Sequence, residues 1–136
     1  MKHNNLLVGI AILLAATACT QGRYLGVNGD DIAKAAEGHH GSEAWATNKK
    51  KDNFEPGQHK CNKFVYDVLR EVSATAPTYS GSGAFANPVT AGDWANVNYS
   101  IDNWQHLGTN VTCQRGDVLS NGFHCGFAVR DRKSVV

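Results

Sequence analysis

The feature that most constrains the fold is one amphipathic segment near the middle of the chain, over residues 61–74. Apolar side chains recur in it at offsets of 0, 4, 7 and 11, which is one face of a helix with about 3.6 residues per turn: Cys61, Val65, Val68 and Val72. Phe64 and Leu69 widen this stripe toward the width of a core-facing helix. The pattern therefore predicts a helix that packs one face against the core.

The C-terminal part of the chain has the pattern of short strands joined by tight turns. Residues 116–117 and 121–122 are Gly-Asp and Asn-Gly turn pairs, and they enclose the start of a strand at 118–119. A second strand is predicted over 124–129, and the start of a third over 134–136. A helix followed by a run of antiparallel strands is typical of an α+β domain, so we expect the helix to pack on an antiparallel sheet.

The segments around these elements contain a few local signals. A first helix is predicted over 30–37, and the stretch 77–88, rich in Ser, Gly and Ala, is predicted as a loop. Thr90 and Asp93 have the spacing of a capping box that opens a short helix through Trp94.

The start of the chain has the layout of a secretory signal. Lys2 precedes an apolar run over 6–16, and Ala16-Thr17-Ala18 supplies the small residues of a cleavage site. The run is too short to cross a bilayer core of roughly 30 Å as a helix. The sequence therefore predicts export of the chain rather than a membrane span.

Cys19 directly follows these small residues, and the stretch 16–19 resembles a bacterial lipobox. The resemblance implies a lipid on Cys19 and anchoring of the protein at a membrane face, with the outer membrane favoured. Simple secretion into the periplasm is the alternative. The predicted organisation is a signal peptide over 1–18, a linker over 19–29 and one domain over 30–136.

The composition gives no reason to expect nucleic acid, a metal or a cofactor. Thirteen Lys and Arg residues face 12 Asp and Glu residues, and the net charge is +1, whereas a nucleic-acid site calls for a basic surface. Neither a C-x-x-C nor a His-x-x-x-His spacing occurs, so a structural zinc site is not expected.

The chain has four cysteines, and Cys19 is explained by the lipid anchor. Three remain, and an odd number of cysteines in an exported chain indicates one reactive thiol. Spacing allows Cys113 and Cys125 to pair, which would leave Cys61 as that thiol.

Cys61 and His124 are the candidate reactive pair. The N-terminus of a helix carries partial positive charge, which favours the thiolate of a cysteine placed there, and the thiolate is the nucleophilic form. On a strand His124 would share one face with Gly126 and Ala128, which leaves room for a helix end. The plain alternative is that Cys61 is a small core residue and His124 a structural histidine.

Four motifs in this order resemble the NlpC-type and CHAP-type peptidases and amidases of the bacterial cell wall. The motifs are HKCNKFVYDVL at 59–69, TAGDW at 90–94, GDV at 116–118 and HCGFAV at 124–129. The resemblance implies a papain-like fold and cleavage of an amide bond in the peptide part of peptidoglycan. It implies Cys61 as the nucleophile and His124 as the base.

Two departures from the family pattern stand beside the resemblance. Phe123 precedes the histidine where the family has glycine, and the family's polar third residue, on the next strand, has only Ser134 as a candidate. Three interpretations are compatible with this C-terminal sequence: a truncated copy, a minimal domain, or a domain that another chain completes. The alternatives to a hydrolase are a thiol acyltransferase and an envelope lipoprotein without catalysis.

The stretch 75–99 is too long for a simple connector, so we expect it to border the site. Tyr79 and Trp94 are the candidate substrate-binding residues in it, although burial of Trp94 in the core is the stronger expectation. Peptidoglycan is the predicted partner, and an inhibitor or immunity protein is a further one.

Overall fold

The computed structural model of the chain describes residues 20–26, 28–108 and 112–130. Its helices and its antiparallel sheet confirm the predicted α+β class. The helices are α1 (Gly29–Gly38), α2 (Cys61–Glu71) and α3 (Ala91–Ala95), with a 3-10 turn at Gly83–Phe85. The strands are β1 (Thr20–Tyr24), β2 (Thr78–Ser80), β3 (Asn87–Pro88), β4 (Trp104–Gly108), β5 (Val118–Ser120) and β6 (Cys125–Phe127).

The predicted linker character of residues 20–24 is wrong, because β1 is an inner strand of the main sheet. The strand order is β4-β1-β5-β6, and all neighbours are antiparallel. Gly22 is needed in β1 because a Cβ there would lie 3.2 Å from the ring of Trp94. A short polar segment with a glycine resembles a linker in sequence, but here two partner strands pair with its backbone.

The long amphipathic helix is confirmed as α2, although it ends at Glu71 rather than at residue 74. The chain turns away where Ser73 adopts a left-handed backbone conformation, with φ of 59°. The apolar face of α2 packs on β6 and α1, and the rings of Phe64 and Phe127 lie 6.0 Å apart, edge to face. The sheet therefore receives the face of the helix that the periodicity indicates.

Half of the capping box predicted at Thr90 is confirmed, since its hydroxyl accepts a hydrogen bond of 3.2 Å from the N–H of Asp93 and α3 follows. The carboxylate of Asp93 accepts from the hydroxyl of Tyr79 instead of completing the box. The predicted loop over 77–88 is only partly a loop, because β2 and β3 pair in it as a two-stranded sheet. β4 was not predicted at all.

Several predictions fall on residues that the structure does not describe. They are the signal peptide, the lipid on Cys19 and the third C-terminal strand over 134–136. Within the described residues, no helix is long and apolar enough to cross a membrane.

Candidate active site

Cys61 is the first residue of α2, as the sequence predicts, and 9% of its surface is exposed. The N–H groups of the first helical turn have no partners within the helix, and together with the helix dipole they favour a negative charge at this end. The thiol of Cys61 therefore lies where its thiolate form is stabilised.

The N-terminus of α2 is attached to the preceding loop by a buried lysine. Lys60 is the N-cap residue of α2, and it is only 2% exposed. Its ammonium group donates hydrogen bonds to the backbone oxygens of Thr47, Glu55 and Gln58, at 3.4, 3.0 and 2.9 Å. Because three carbonyls hold this cation, the loop is bound against the residue that precedes the nucleophile.

His124 lies in the turn between β5 and β6, and side chains of that turn hold its backbone. The carboxamide oxygen of Asn121 accepts hydrogen bonds from the N–H groups of Phe123 and His124, both at 2.9 Å. The hydroxyl of Ser120 lies 3.1 Å from the carbonyl oxygen of His124. The Sγ of Cys61 lies 3.9 Å from the carbonyl oxygen of Phe123, so this turn meets the start of α2.

The predicted face of β6 is wrong. The sequence placed His124 and Gly126 on the face that meets the helix, whereas Cys125 and Phe127 are directed into the core beside α2. The alternation of the strand holds, but β6 begins at Cys125. His124 precedes the strand, and the turn rather than the strand brings it to the nucleophile.

The surroundings of Cys61 lower the pKa of its thiol from an ordinary value of 9.0 to about 6. The largest cause is a hydrogen bond from the thiol of Cys125, and the backbone N–H of Cys125 adds another. The charge of His124 and a hydrogen bond from its ring also favour the thiolate, while burial opposes it. Cys61 and His124 are therefore brought together, and His124 is one of the groups that favour the thiolate of Cys61.

Cys125 is a residue of this site that the sequence reasoning missed. It is a fully buried free thiol next to Cys61, not a partner of Cys113. Donation to Cys61 and burial raise the pKa of Cys125 well above its ordinary value. A cysteine directly after the candidate histidine was the only signal in the sequence, and it did not show on which face the thiol lies.

A second histidine accompanies His124. The ring of His59 lies 6.0 Å from the ring of His124, edge to face, and His59 is exposed. Within residues 20–26, 28–108 and 112–130, no carboxylate or amide side chain is hydrogen-bonded to the ring of His124. Ser134, the candidate third residue, lies outside these ranges.

The structure places the two predicted substrate-binding residues in different environments. Trp94 is 1% exposed and packs edge to face on Trp104 at 4.9 Å, so the prediction that it contacts substrate is wrong. The apolar side of α3 has to be buried, and Trp94 occupies it. Tyr79 is 49% exposed and its hydroxyl donates to the carboxylate of Asp93, so its binding role stays a prediction.

The described part of the chain holds no metal cluster at this site, and one sizeable cavity lies elsewhere. In the part of the chain that the structure describes, no three His, Cys, Asp or Glu residues are grouped to hold a metal ion. A cavity of about 630 Å³ lies elsewhere, between Arg23, Asn28 and Arg115, and neither Cys61 nor His124 lines it. Phe123, whose carbonyl oxygen lies 3.9 Å from the Sγ of Cys61, is 84% exposed.

Comparison with known proteins found no relative of this chain. No family model, no curated protein and no solved structure matches it. The resemblance to cell-wall peptidases therefore rests on the four sequence motifs alone.

We expect the Cys125→Ala variant to have a Cys61 pKa above about 6, because the thiolate loses the hydrogen bond that stabilises it most. The measurement is the rate of iodoacetamide addition to Cys61 as a function of pH, followed by mass spectrometry. Cys125→Ser keeps a donor at the same place and should have a midpoint nearer that of the natural protein. An unchanged midpoint in Cys125→Ala would show that Cys125 does not stabilise the thiolate.

Proposed function

We propose that this chain is a papain-like cysteine peptidase or amidase that cleaves an amide bond in the peptide part of peptidoglycan. The observation that carries the proposal is the pair of Cys61 and His124, with the pKa of the thiol lowered to about 6 at the start of a helix. The motif order around these two residues supports the choice of family. The signal-like start of the chain supports action outside the cytoplasm, with Cys19 as a lipid anchor.

The proposed reaction begins with the Cys61 thiolate. It adds to the carbonyl carbon of the amide, and the backbone N–H at the start of α2 donates to the developing oxyanion. His124 gives its proton to the leaving amine, and a thioester on Cys61 remains. Water then gives a proton to His124 and attacks the thioester, which releases the carboxylic acid and restores the thiolate.

The open surface beside the pair suits a flexible peptide substrate. Phe123 is almost fully exposed next to His124, and Tyr79 is half exposed on the segment that contains β2. Aromatic side chains at such positions offer apolar contact to the stem peptide, and no cofactor is needed for the reaction. An inhibitor or immunity protein that covers Phe123 would block the same approach.

The test is digestion of purified peptidoglycan sacculi by the protein. We expect new free amines and peptide fragments by mass spectrometry, with a loss of at least about 10³-fold in Cys61→Ala. Fragments whose new carboxyl group is linked to an added amine, rather than released as the free acid, would identify a thiol acyltransferase. No new amine from sacculi of several peptide chemistries, with the protein folded, would contradict the proposal and favour a lipoprotein without catalysis.

A further inference from the structure

Cys61 and Cys125 meet where α2 packs on β6. Phe64 follows Cys61 by about one helical turn, Phe127 follows Cys125 by two strand positions, and the two rings lie 6.0 Å apart. The same two faces bring the cysteines together one step earlier, and both belong to the buried core. The Sγ of Cys61 also lies 3.9 Å from the carbonyl oxygen of Phe123, two residues before Cys125, and the hydrogen bond between the two thiols fits this packing of the helix on the sheet.

The two thiols differ in access to solvent. Cys61 is 9% exposed, whereas Cys125 is 0% exposed. Amide hydrolysis by Cys61 and His124 needs only one sulfur, and stabilising the Cys61 thiolate needs a hydrogen-bond donor at position 125, which a hydroxyl would also supply. A second sulfur at this position is therefore more than the proposed hydrolysis requires.

We propose that Cys61 and Cys125 form a reversible oxidation site. A small-molecule disulfide oxidises the two thiols to a Cys61–Cys125 disulfide, and the protein then has no free nucleophile. Cys61 is the thiol that reacts first, and Cys125 is the thiol that resolves the adduct. The disulfide can form whether or not the chain is a hydrolase, and only the inhibition of hydrolysis by the disulfide rests on the proposed function.

The chemistry uses two exchange steps with glutathione disulfide as the oxidant. The Cys61 thiolate attacks one sulfur of glutathione disulfide, a mixed disulfide forms on Cys61, and one glutathione leaves as thiolate. The sulfur of Cys125 then attacks the Cys61 sulfur, which forms the Cys61–Cys125 bond and releases the second glutathione. Two protein sulfurs are oxidised and one glutathione disulfide is reduced; the proton of Cys125 leaves on one glutathione, and the glutathione released as thiolate takes its proton from the solvent.

The first step also weakens the interactions that raise the pKa of Cys125. The hydrogen bond to Cys61 is the largest reason that the pKa of Cys125 is raised, followed by burial and then by the charge of Cys61. A Cys61 sulfur in a mixed disulfide carries no charge, so only burial still opposes ionisation of Cys125. The mixed disulfide is also the electrophile that Cys125 already faces.

The experiment treats the folded protein with glutathione disulfide at neutral pH, blocks remaining thiols with iodoacetamide and analyses a digest without reduction. We expect a linked pair of peptides that contain Cys61 and Cys125, formed through a transient glutathione adduct on Cys61. Dithiothreitol should restore both thiols. Cys113→Ala, the matched control, should form the same link at the same rate.

Cys125→Ala should stop at the glutathione adduct on Cys61, and Cys125→Ser, which preserves the size of the side chain, should stop there as well. A persistent adduct in the natural protein, or a link from Cys61 to Cys113, would overturn the proposal. The result in the natural protein tests the formation of the Cys61–Cys125 disulfide even if both variants fail to fold. The link without any peptidoglycan cleavage would reject only the proposed function, and cleavage without the link would reject only the oxidation site.

Discussion

Replacing His124 with alanine should reduce kcat/KM for amide cleavage by about 10²- to 10⁴-fold, the usual contribution of a general acid and base. The same change should raise the pKa of Cys61 above about 6, because the charge and hydrogen bond of His124 favour the thiolate. At a pH between the two midpoints, the variant would hold Cys61 as the neutral thiol and alkylate more slowly. Both effects are measurable on the same sample, by peptide release and by iodoacetamide addition as a function of pH.

His59→Ala is the matched control for this experiment. His59 is a histidine 6.0 Å from the ring of His124, but it is not among the groups that lower the pKa of Cys61. We therefore expect an alkylation midpoint close to that of the natural protein. An unchanged midpoint in His124→Ala would contradict the assigned role of His124. A larger loss of activity in His59→Ala than in His124→Ala would identify His59 as the base.

Replacing Lys63 with methionine should lower the free energy of unfolding by about 1 to 3 kcal/mol, since it leaves two partly buried carboxylates without their counter-charge. Lys63 is completely buried in α2, and its ammonium nitrogen lies 2.8 Å from a carboxylate oxygen of Asp52 and 3.0 Å from one of Asp67. It also donates to the carbonyl oxygen of Ala84 at 2.7 Å. Methionine fills the volume of the lysine chain but neutralises neither carboxylate.

The pKa of Asp52 supports this expectation, because the hydrogen bond from Lys63 lowers it. Asp67 in addition accepts a hydrogen bond of 2.9 Å from the indole of Trp45, so the loss of Lys63 reaches a second core contact. Urea denaturation followed by tryptophan fluorescence gives the free energy of unfolding, provided that the slope with urea is unchanged.

Lys50→Met is the control for charge removal alone. Lys50 is 57% exposed, and its ion pair with Glu55 is at the surface, where such pairs contribute little to stability. Its midpoint in urea should equal that of the natural protein within error. Equal stability of Lys63→Met and the natural protein would contradict the account of a buried ion-pair network.

Local signals accounted for the helices and for one end of the candidate site. The periodicity over 61–74 located α2 and placed Cys61 at its start, and the Thr90 box located α3. Each depends on contacts within one or two turns of the chain, which the order of residues specifies directly. The resemblance in motif order also paired Cys61 with His124, and the structure brings these two residues close.

Contacts between distant parts of the chain could not be predicted from local patterns. Residues 20–24 have no apolar alternation, and they form β1 only because β4 and β5, some 80 to 100 positions further on, pair with them. β4 and the pairing of β2 with β3 depend on similar partners.

The residue pattern was enough to predict the α+β class and the helix that carries Cys61, and the resemblance in motif order pointed to His124. The burial of Trp94 in the core, and the place of Cys125 rather than Gly126 beside the nucleophile, are visible only in the folded chain. The physical reason is that a strand has two faces, and the point at which β6 begins determines which of them meets α2. That point is set by the turn at Asn121 and by the packing of Phe127 on Phe64, which only the folded chain brings together.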